Sequence, residues 1–271
     1  MKTILITGST DGIGLATAQQ LLAQGHHVLI HGRTPQKVER VIDQLGQSYS
    51  SELISGFTAD LSDLNAVKSL ADEVNKQYSG IDVLINNAGV FKIEQPVTDD
   101  GYDARFIVNT IAPYLLMKQL KPALAKDSRV INLASAAQAP VDIEFLLGNK
   151  SADSAMSAYA QSKLALIVWT RHLATELSNE GVLIVSVNPG SLLATKMVKD
   201  GFGVAGNDIS QGADILVRAA LSDEFSDKAG EYFDNDSGAF AQPDEDALNP
   251  QKNEQIVQAI DSIIQQLVAR G

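Results

Sequence analysis

The sequence predicts an α/β fold: a single doubly wound parallel sheet with helices on both faces. Three observations carry this. Strand-like and helix-like segments alternate from the first residue, as parallel strands joined by right-handed crossovers do. The strands are continuous apolar runs rather than alternating ones, which suits a sheet covered on both faces. Finally, 271 residues with 45% hydrophobic content fit one large domain. No repeat, low-complexity tract or Pro/Ser-rich linker marks a boundary, so one domain over 1–271 is expected.

Residues 2–7 read as a buried strand entering a glycine turn, and 13–24 as a helix with Ile13, Ala16 and Leu21 as its apolar positions. A second strand and helix follow over 27–31 and 36–45. Residues 52–58 form a third strand, and Ser62 or Asp63 can cap the helix after it. The fourth strand is 81–86. A long helix over 104–126 is expected to bend near Pro113. Strand 129–134, helix 154–179 and strand 182–188 complete the pattern, the last stopped by Pro189-Gly190. An amphipathic helix over 253–270 reads as packing surface.

Composition removes several function classes. A net charge of −12 lacks the basic footprint of a nucleic-acid partner. Zero cysteines exclude disulfides, thiolate metal sites and a Cys nucleophile. His26, His27, His31 and His172 show no paired ligand spacing on a helix, so neither a metal nor a histidine triad is expected. Asp234-Asn235-Asp236-Ser237-Gly238 with Glu245 has a partial calcium-loop look. Its fifth and sixth places are Gly and Ala, where the loop needs an oxygen ligand and then Gly. The N-terminal apolar run is too short for a signal peptide, and no run of about 18 apolar residues occurs. No membrane span and a cytoplasmic location are therefore expected.

In such sheets ligands bind beyond the carboxyl ends of the strands, where strand order reverses. Thr7-Gly8-Ser9-Thr10-Asp11-Gly12-Ile13-Gly14 lies at such an end. Its glycines permit a tight turn and close backbone approach to a pyrophosphate, with the helix N-terminus facing the phosphates. An ordinary Gly-rich connection is the alternative. At the end of the second strand, an acid would bind the ribose 2′-hydroxyl of NAD, and an Arg favours the 2′-phosphate of NADP. His31-Gly32-Arg33-Thr34 offers Arg33 and no acid, so NADP(H) is expected ahead of NAD(H), unless Arg33 is merely solvated. Tyr159 and Lys163 are four residues apart and share a helix face. A nearby ammonium would draw the phenol pKa down toward useful acid/base chemistry. Such a pair alone is common.

In combination these motifs are specific. The pattern Thr-Gly-x-x-x-Gly-x-Gly, Asn86-Asn87-Ala88-Gly89, Asn109, Ser135, Tyr159-Ala160-Gln161-Ser162-Lys163 and Asn188-Pro189-Gly190 resembles the short-chain dehydrogenase/reductase superfamily, a Rossmann fold, over about residues 1–233. The resemblance implies hydride transfer between nicotinamide and a carbonyl or alcohol. It implies Tyr159 as acid/base, Ser135 holding the substrate oxygen, and Asn109 supporting a water chain through Lys163. Lys163 would also bind the nicotinamide ribose. Asn87, Ala88 and Gly89 would line the cofactor, Asp60 and Leu61 would meet adenine, and Pro189, Gly190 and Thr195 would hold the carboxamide. Thr195 stands one residue later than usual.

Ser135 and Tyr159 are 24 positions apart, longer than in compact members. The insertion 138–154, with Val141-Asp142-Ile143-Glu144-Phe145-Leu146-Leu147, and Gly230-Glu231-Tyr232-Phe233 look like the retinol-dehydrogenase-like branch, which acts on hydrophobic carbonyls. Its membrane-bound members carry a hydrophobic anchor not found here. Within 190–210, residues 196–208 read as a mobile substrate lid or a plain flexible loop. Two other functions stay open: an NADP(H) sensor without turnover, and a sugar epimerase or dehydratase. The four-residue catalytic set argues against the first, and the short C-terminal region against the second. A homodimer packed through the long helices is left open.

Overall fold

The computed structural model of the chain describes residues 1–268. In order, its elements are β1 (Thr3–Ile6), α1 (Gly12–Ala23), β2 (His27–Gly32), α2 (Pro35–Gly46), β3 (Ile54–Thr58), α3 (Leu64–Gln77), β4 (Ile81–Asn86), α4 (Ala104–Phe106), a π turn (Ile107–Ile111) and α5 (Ala112–Leu120). There follow β5 (Leu124–Leu133), α6 (Ile143–Leu146), α7 (Ala155–Asn179), β6 (Val182–Asn188), α8 (Lys196–Phe202), α9 (Ser210–Leu221), β7 (Tyr232–Asp234), β8 (Ala239–Ala241) and α10 (Pro250–Val268).

Among the described residues eight strands form one sheet in the order β3-β2-β1-β4-β5-β6-β7-β8. Strand order reverses beside β1, which pairs in parallel with both β2 and β4. Consecutive strand residues feed opposite faces. Leu5 and Leu29 join the core under α3, α5, α7 and α10, while Ile4, Ile6, Val28 and Ile30 join the core under α1, α2 and α9. That double covering is why the strands read as unbroken apolar runs. The largest fully buried side chain, Trp169 of α7, meets Tyr114 of α5 edge-on at 5.4 Å. Among the described residues no helix is long and apolar enough to cross a membrane.

Several expectations change. The sheet is not wholly parallel, because β8 pairs antiparallel with β7 as a short edge hairpin. Strands of three residues are below the length at which apolar runs stand out. The helix expected over 104–126 ends at Leu120. Pro122 removes an N–H that a continuing helix would need, and residues 124–126 belong to β5, where Leu124 pairs with Ile81. Pro113 marks a π turn rather than a simple bend: it has no N–H to give the carbonyl of Asn109, four residues back, and the helix widens there. β3 starts at Ile54, after a 3-10 turn. Ser154 is the cap of α7, accepting from Ser157 N at 3.1 Å. Asp63, not Ser62, caps α3, accepting from Asn65 N at 2.8 Å. The C-terminal helix begins at Pro250, and positions 269 and 270 lie outside the described residues.

The inserted segment before α7 lies largely at the surface and sends two side chains into the core. Phe145 and Leu146 are buried, and Phe145 packs on Phe106 at 5.1 Å. Nearby, Asp103 caps α4 and grips the Arg105 guanidinium at 2.8 and 2.6 Å, both side chains buried. Asp103→Ala would leave that guanidinium without its carboxylate, so we expect a loss of about 3–5 kcal/mol in denaturant unfolding.

Candidate active site

The carboxyl ends of β1, β2, β4, β5 and β6 open onto one edge, and the expected site residues gather there. After β1 the chain turns at Gly8, which has a left-handed φ of +65°, and again at Gly12, with φ +59°. Asp11 caps α1 through Gly12 N at 2.7 Å, leaving the helix N-terminus toward the cleft. Ser9 is buried and donates to Ile6 O at 2.8 Å. Ile13 packs toward Gly212 of α9.

β4 reaches this turn from beside it. The Asn87 amide donates to Thr7 O at 2.8 Å and Gly8 O at 3.0 Å, and Thr7 Oγ1 accepts from the N–H groups of Asn87 and Ala88 at 3.0 and 3.1 Å. The approach leaves no room for side chains. A Cβ on Gly8 would stand 2.9 Å from Ala88 Cα, and one on Gly14 2.5 Å from Asn87 Nδ2. Asn86 faces the other way, joining a buried chain from its amide to Asn132 and on to Thr170, each step 2.8 Å.

The four catalytic candidates come from three separate pieces of chain. Ser135 follows β5; Tyr159 and Lys163 stand on α7; Asn109 sits in the π turn. Ser135 Oγ accepts from Ala137 N at 3.1 Å, and its side chain acts on the Tyr159 phenol. Lys163 is buried and donates to Leu133 O at 2.6 Å, with its Nζ 5.8 Å from the centre of the Tyr159 ring. Asn109 clamps the chain beyond β4: its Oδ1 accepts from Val90 N at 2.8 Å, and its Nδ2 donates to Val90 O at 3.0 Å and to Ser162 Oγ at 3.0 Å. Gly89 closes over Asn109 and Lys163, where a Cβ would lie 3.3 Å from Asn109 Oδ1 and 3.6 Å from Lys163 Nζ.

The electrostatics differ from expectation. Burial holds the Lys163 ammonium down, to about 8. Burial also raises the Tyr159 phenol, and the Ser135 side chain works against that rise. The phenol therefore moves in the direction opposite to the expected one: desolvation of the phenolate is the leading cause, and Lys163 is not among the groups that shift it.

Arg33 is exposed at the end of β2. Beside it, between α1 and α2, a pocket of about 240 Å³ is lined by Thr10, Asp11, Leu15, Lys37, Arg40, Val41 and Gln44. Lys37 and Arg40 escaped the sequence reading, because a charge on an amphipathic helix carries no mark of what it faces. Ser162 escaped it too. Within the Tyr-Lys motif, its hydroxyl donates to Tyr159 O at 2.7 Å and accepts from Asn109, joining the π turn to α7. Asp60 accepts from Ser62 N and Oγ at 2.9 and 2.7 Å, while Leu61 is buried in the core.

Past β6, Pro189 and Gly190 are held by the acidic turn between β7 and β8. Asp236 accepts from Ser191 N at 2.8 Å and Ser191 Oγ at 2.6 Å, and Asn235 donates to Pro189 O at 2.9 Å. The carboxylates of the calcium-like sequence are therefore used as a clamp, and among the described residues no group of three or more His, Asp or Glu could hold a metal. Thr195 caps α8, accepting from Val198 N at 3.2 Å, and its methyl would lie 3.8 Å from a Cβ on Gly12. The segment expected as a lid is helical over α8 and tied back by Ala194 N to Asn207 O at 2.7 Å. α8 covers the site: Phe91 meets the Tyr159 ring edge-on at 5.2 Å, and a Cβ on Gly201 would stand 2.7 Å from Phe91 Cδ1.

The short chain dehydrogenase family model matches residues 2–203. Retinol dehydrogenase 12 of Mus musculus is 32% identical over 247 residues, covering 86% of this chain and 77% of that protein. Polyprenol dehydrogenase of Homo sapiens is 29% identical, covering 87% and 77%. Among solved structures, a short chain dehydrogenase from Burkholderia cenocepacia in complex with NADP is 28% identical, covering 88% of this chain and 97% of that one, with a TM-score of 0.69. A protein from Mycobacterium Paratuberculosis is 25% identical with a TM-score of 0.80, covering 98% and 94%.

Alanine favours a helix over glycine by about 1 kcal/mol. Gly14→Ala should nonetheless lower thermal stability, by about 1–3 kcal/mol, because its Cβ meets Asn87 and backbone. Gly46→Ala, with nothing within 4 Å of the added Cβ, is the matched control and should not destabilise.

Proposed function

The chain belongs to the short chain dehydrogenase family, in its retinol-dehydrogenase-like branch, and on that premise we propose that it uses NADP(H) to interconvert an apolar, small-to-medium carbonyl compound and its alcohol. One observation carries the chemistry: Tyr159, on whose phenol Ser135 acts, stands beside a buried Lys163, its ring centre 5.8 Å from Nζ, at the same sheet edge as the glycine turn.

The chain's own groups fit a dinucleotide. Gly8 and Gly14 let the turn sit against Asn87 and Ala88, Gly12 leaves its backbone open, with only the Thr195 methyl within 4 Å of an added Cβ, and the α1 N-terminus supplies N–H groups and a positive dipole end for a pyrophosphate. Arg33, Lys37 and Arg40 supply cations near Thr10 for a ribose 2′-phosphate, with Arg33 capable of a forked, charge-assisted contact. Asn87, Ala88, Gly89, Pro189, Gly190 and Thr195 line the remaining length of that edge. NADP(H), when bound, supplies or accepts the hydride.

In reduction, the Tyr159 hydroxyl donates its proton to the carbonyl oxygen while Ser135 donates a hydrogen bond to the same atom. In oxidation Tyr159 accepts that proton. A phenol raised by burial is a competent acid across neutral pH. As a base it needs positive charge nearby, and Lys163 carries charge below about 8. Asn109 holds the β4 extension and Ser162 in place, which fixes the distance between α7 and the sheet edge. Phe91 and α8 exclude water from the Tyr159 ring and favour an apolar substrate.

The reading is tested by NADPH oxidation over a panel of apolar aldehydes, ketones and quinones. Binding of NADPH without turnover of any compound would overturn it. Given one active substrate, Tyr159→Phe should lower kcat by about 10²–10⁴-fold while NADPH affinity stays the same. Arg33→Ala should raise the Kd of NADPH, measured by fluorescence titration, far more than that of NADH. Equal losses would contradict the 2′-phosphate assignment.

A further inference from the structure

His31 is fully buried, whereas His26 and His27 are half-buried and His172 is exposed. It is also the residue two places before Arg33, on the strand next to the glycine turn. Its ring bridges two backbone groups. Gly8 N donates to Nδ1 at 3.1 Å, and Nε2 lies 3.1 Å from Ala59 O, just beyond β3. An amide can only donate and a carbonyl can only accept. The two contacts therefore select a single neutral tautomer, with Nδ1 bare and Nε2 protonated. His31 backbone completes the link: Ser9 N donates to His31 O, and His31 N donates to Ser9 Oγ, both at 2.9 Å.

This arrangement matters because of what Gly8 does. It turns the chain in the left-handed region, against Ala88, and starts the run of N–H groups that leads to the α1 N-terminus. Its own N–H points at the imidazole of a buried side chain. We propose that His31 is a positioning residue for the cofactor phosphates, holding Gly8 so that the Ser9–Gly14 turn keeps its aim. The inference rests on the dinucleotide reading given above. It assigns His31 no contact with cofactor or substrate. Burial keeps the ring neutral by lowering its pKa to about 4, so the acceptor at Nδ1 persists through the ordinary pH range.

The two arms can be separated. Asn places an amide oxygen where Nδ1 stands and keeps the Gly8 arm; Gln places an amide nitrogen near Nε2 and keeps the Ala59 arm; Leu fills the space with neither. NADPH and NADH affinity would be measured by fluorescence titration on the folded proteins, with thermal unfolding in parallel. The buried, unpaired Gly8 N–H should weaken NADPH binding by about tenfold or more in His31→Leu and His31→Gln, while His31→Asn stays within about threefold of wild type. All three should melt lower, so melting alone does not decide. Histidine ¹⁵N spectra, with the His31 signal identified by its loss in His31→Asn, should show Nδ1 unprotonated and Nε2 protonated without any cofactor present. Unchanged affinity in Leu and Gln, an Asn variant as weak as Leu, or a protonated Nδ1 would each overturn the proposal. If wild type binds neither dinucleotide, the cofactor reading fails and the positioning role fails with it, whatever the tautomer.

Discussion

The active edge depends on one contact, the seating of Asn87 against a turn that has no side chains. The Asn87 amide reaches two carbonyls of the β1 turn only because Gly8 and Gly14 carry no Cβ, and Gly14 is already so close that an added carbon would overlap both the amide and Gly8 O. The contact spans the place where strand order reverses, between neighbouring strands whose connecting helices lie on opposite faces. It sets how far the chain beyond β4 stands from the α1 N-terminus. Everything further out is placed relative to it. Asn109 grips Val90, Gly89 covers Lys163, and Phe91 meets Tyr159.

A second feature is how the polar groups at this edge are satisfied. Among the described residues Lys163 forms no ion pair with a carboxylate, and it is held by Leu133 O. Ser162 links the backbone of Tyr159 to Asn109, so the helix that carries Tyr159 and the π turn are joined through one hydroxyl. Burying an ammonium and a phenol together costs stability, and the shifts at Lys163 and Tyr159 record that cost in opposite directions.

The acidic turn between β7 and β8 illustrates a different use of charge. Read linearly, Asp234 and Asp236 resemble ligands waiting for a cation. Folded, they accept from Asn188, Ser191 and the backbone and so hold the Pro189-Gly190 segment. The chain's excess of acid is in this instance structural.

The sequence alone determined the order of the first six strands and the long helices between them, the glycine turn, the Tyr159–Lys163 pair and the strand ends that carry Asn87 and Ser135. Those features are written in local spacing: apolar period, glycine position and four-residue helical repeat act over a few residues and leave a readable pattern. The tertiary structure decided what depends on distant partners. That Pro113 opens a π turn around Asn109, that Lys37 and Arg40 face the turn while other surface charges face water, and that Phe145 enters the core rather than a pocket are outcomes of packing between elements far apart in the chain. His31 shows the division most plainly. Its place before Gly32-Arg33 was visible, but its role was not, because the two groups that fix its tautomer come from residues 8 and 59 and meet only when three strands lie side by side.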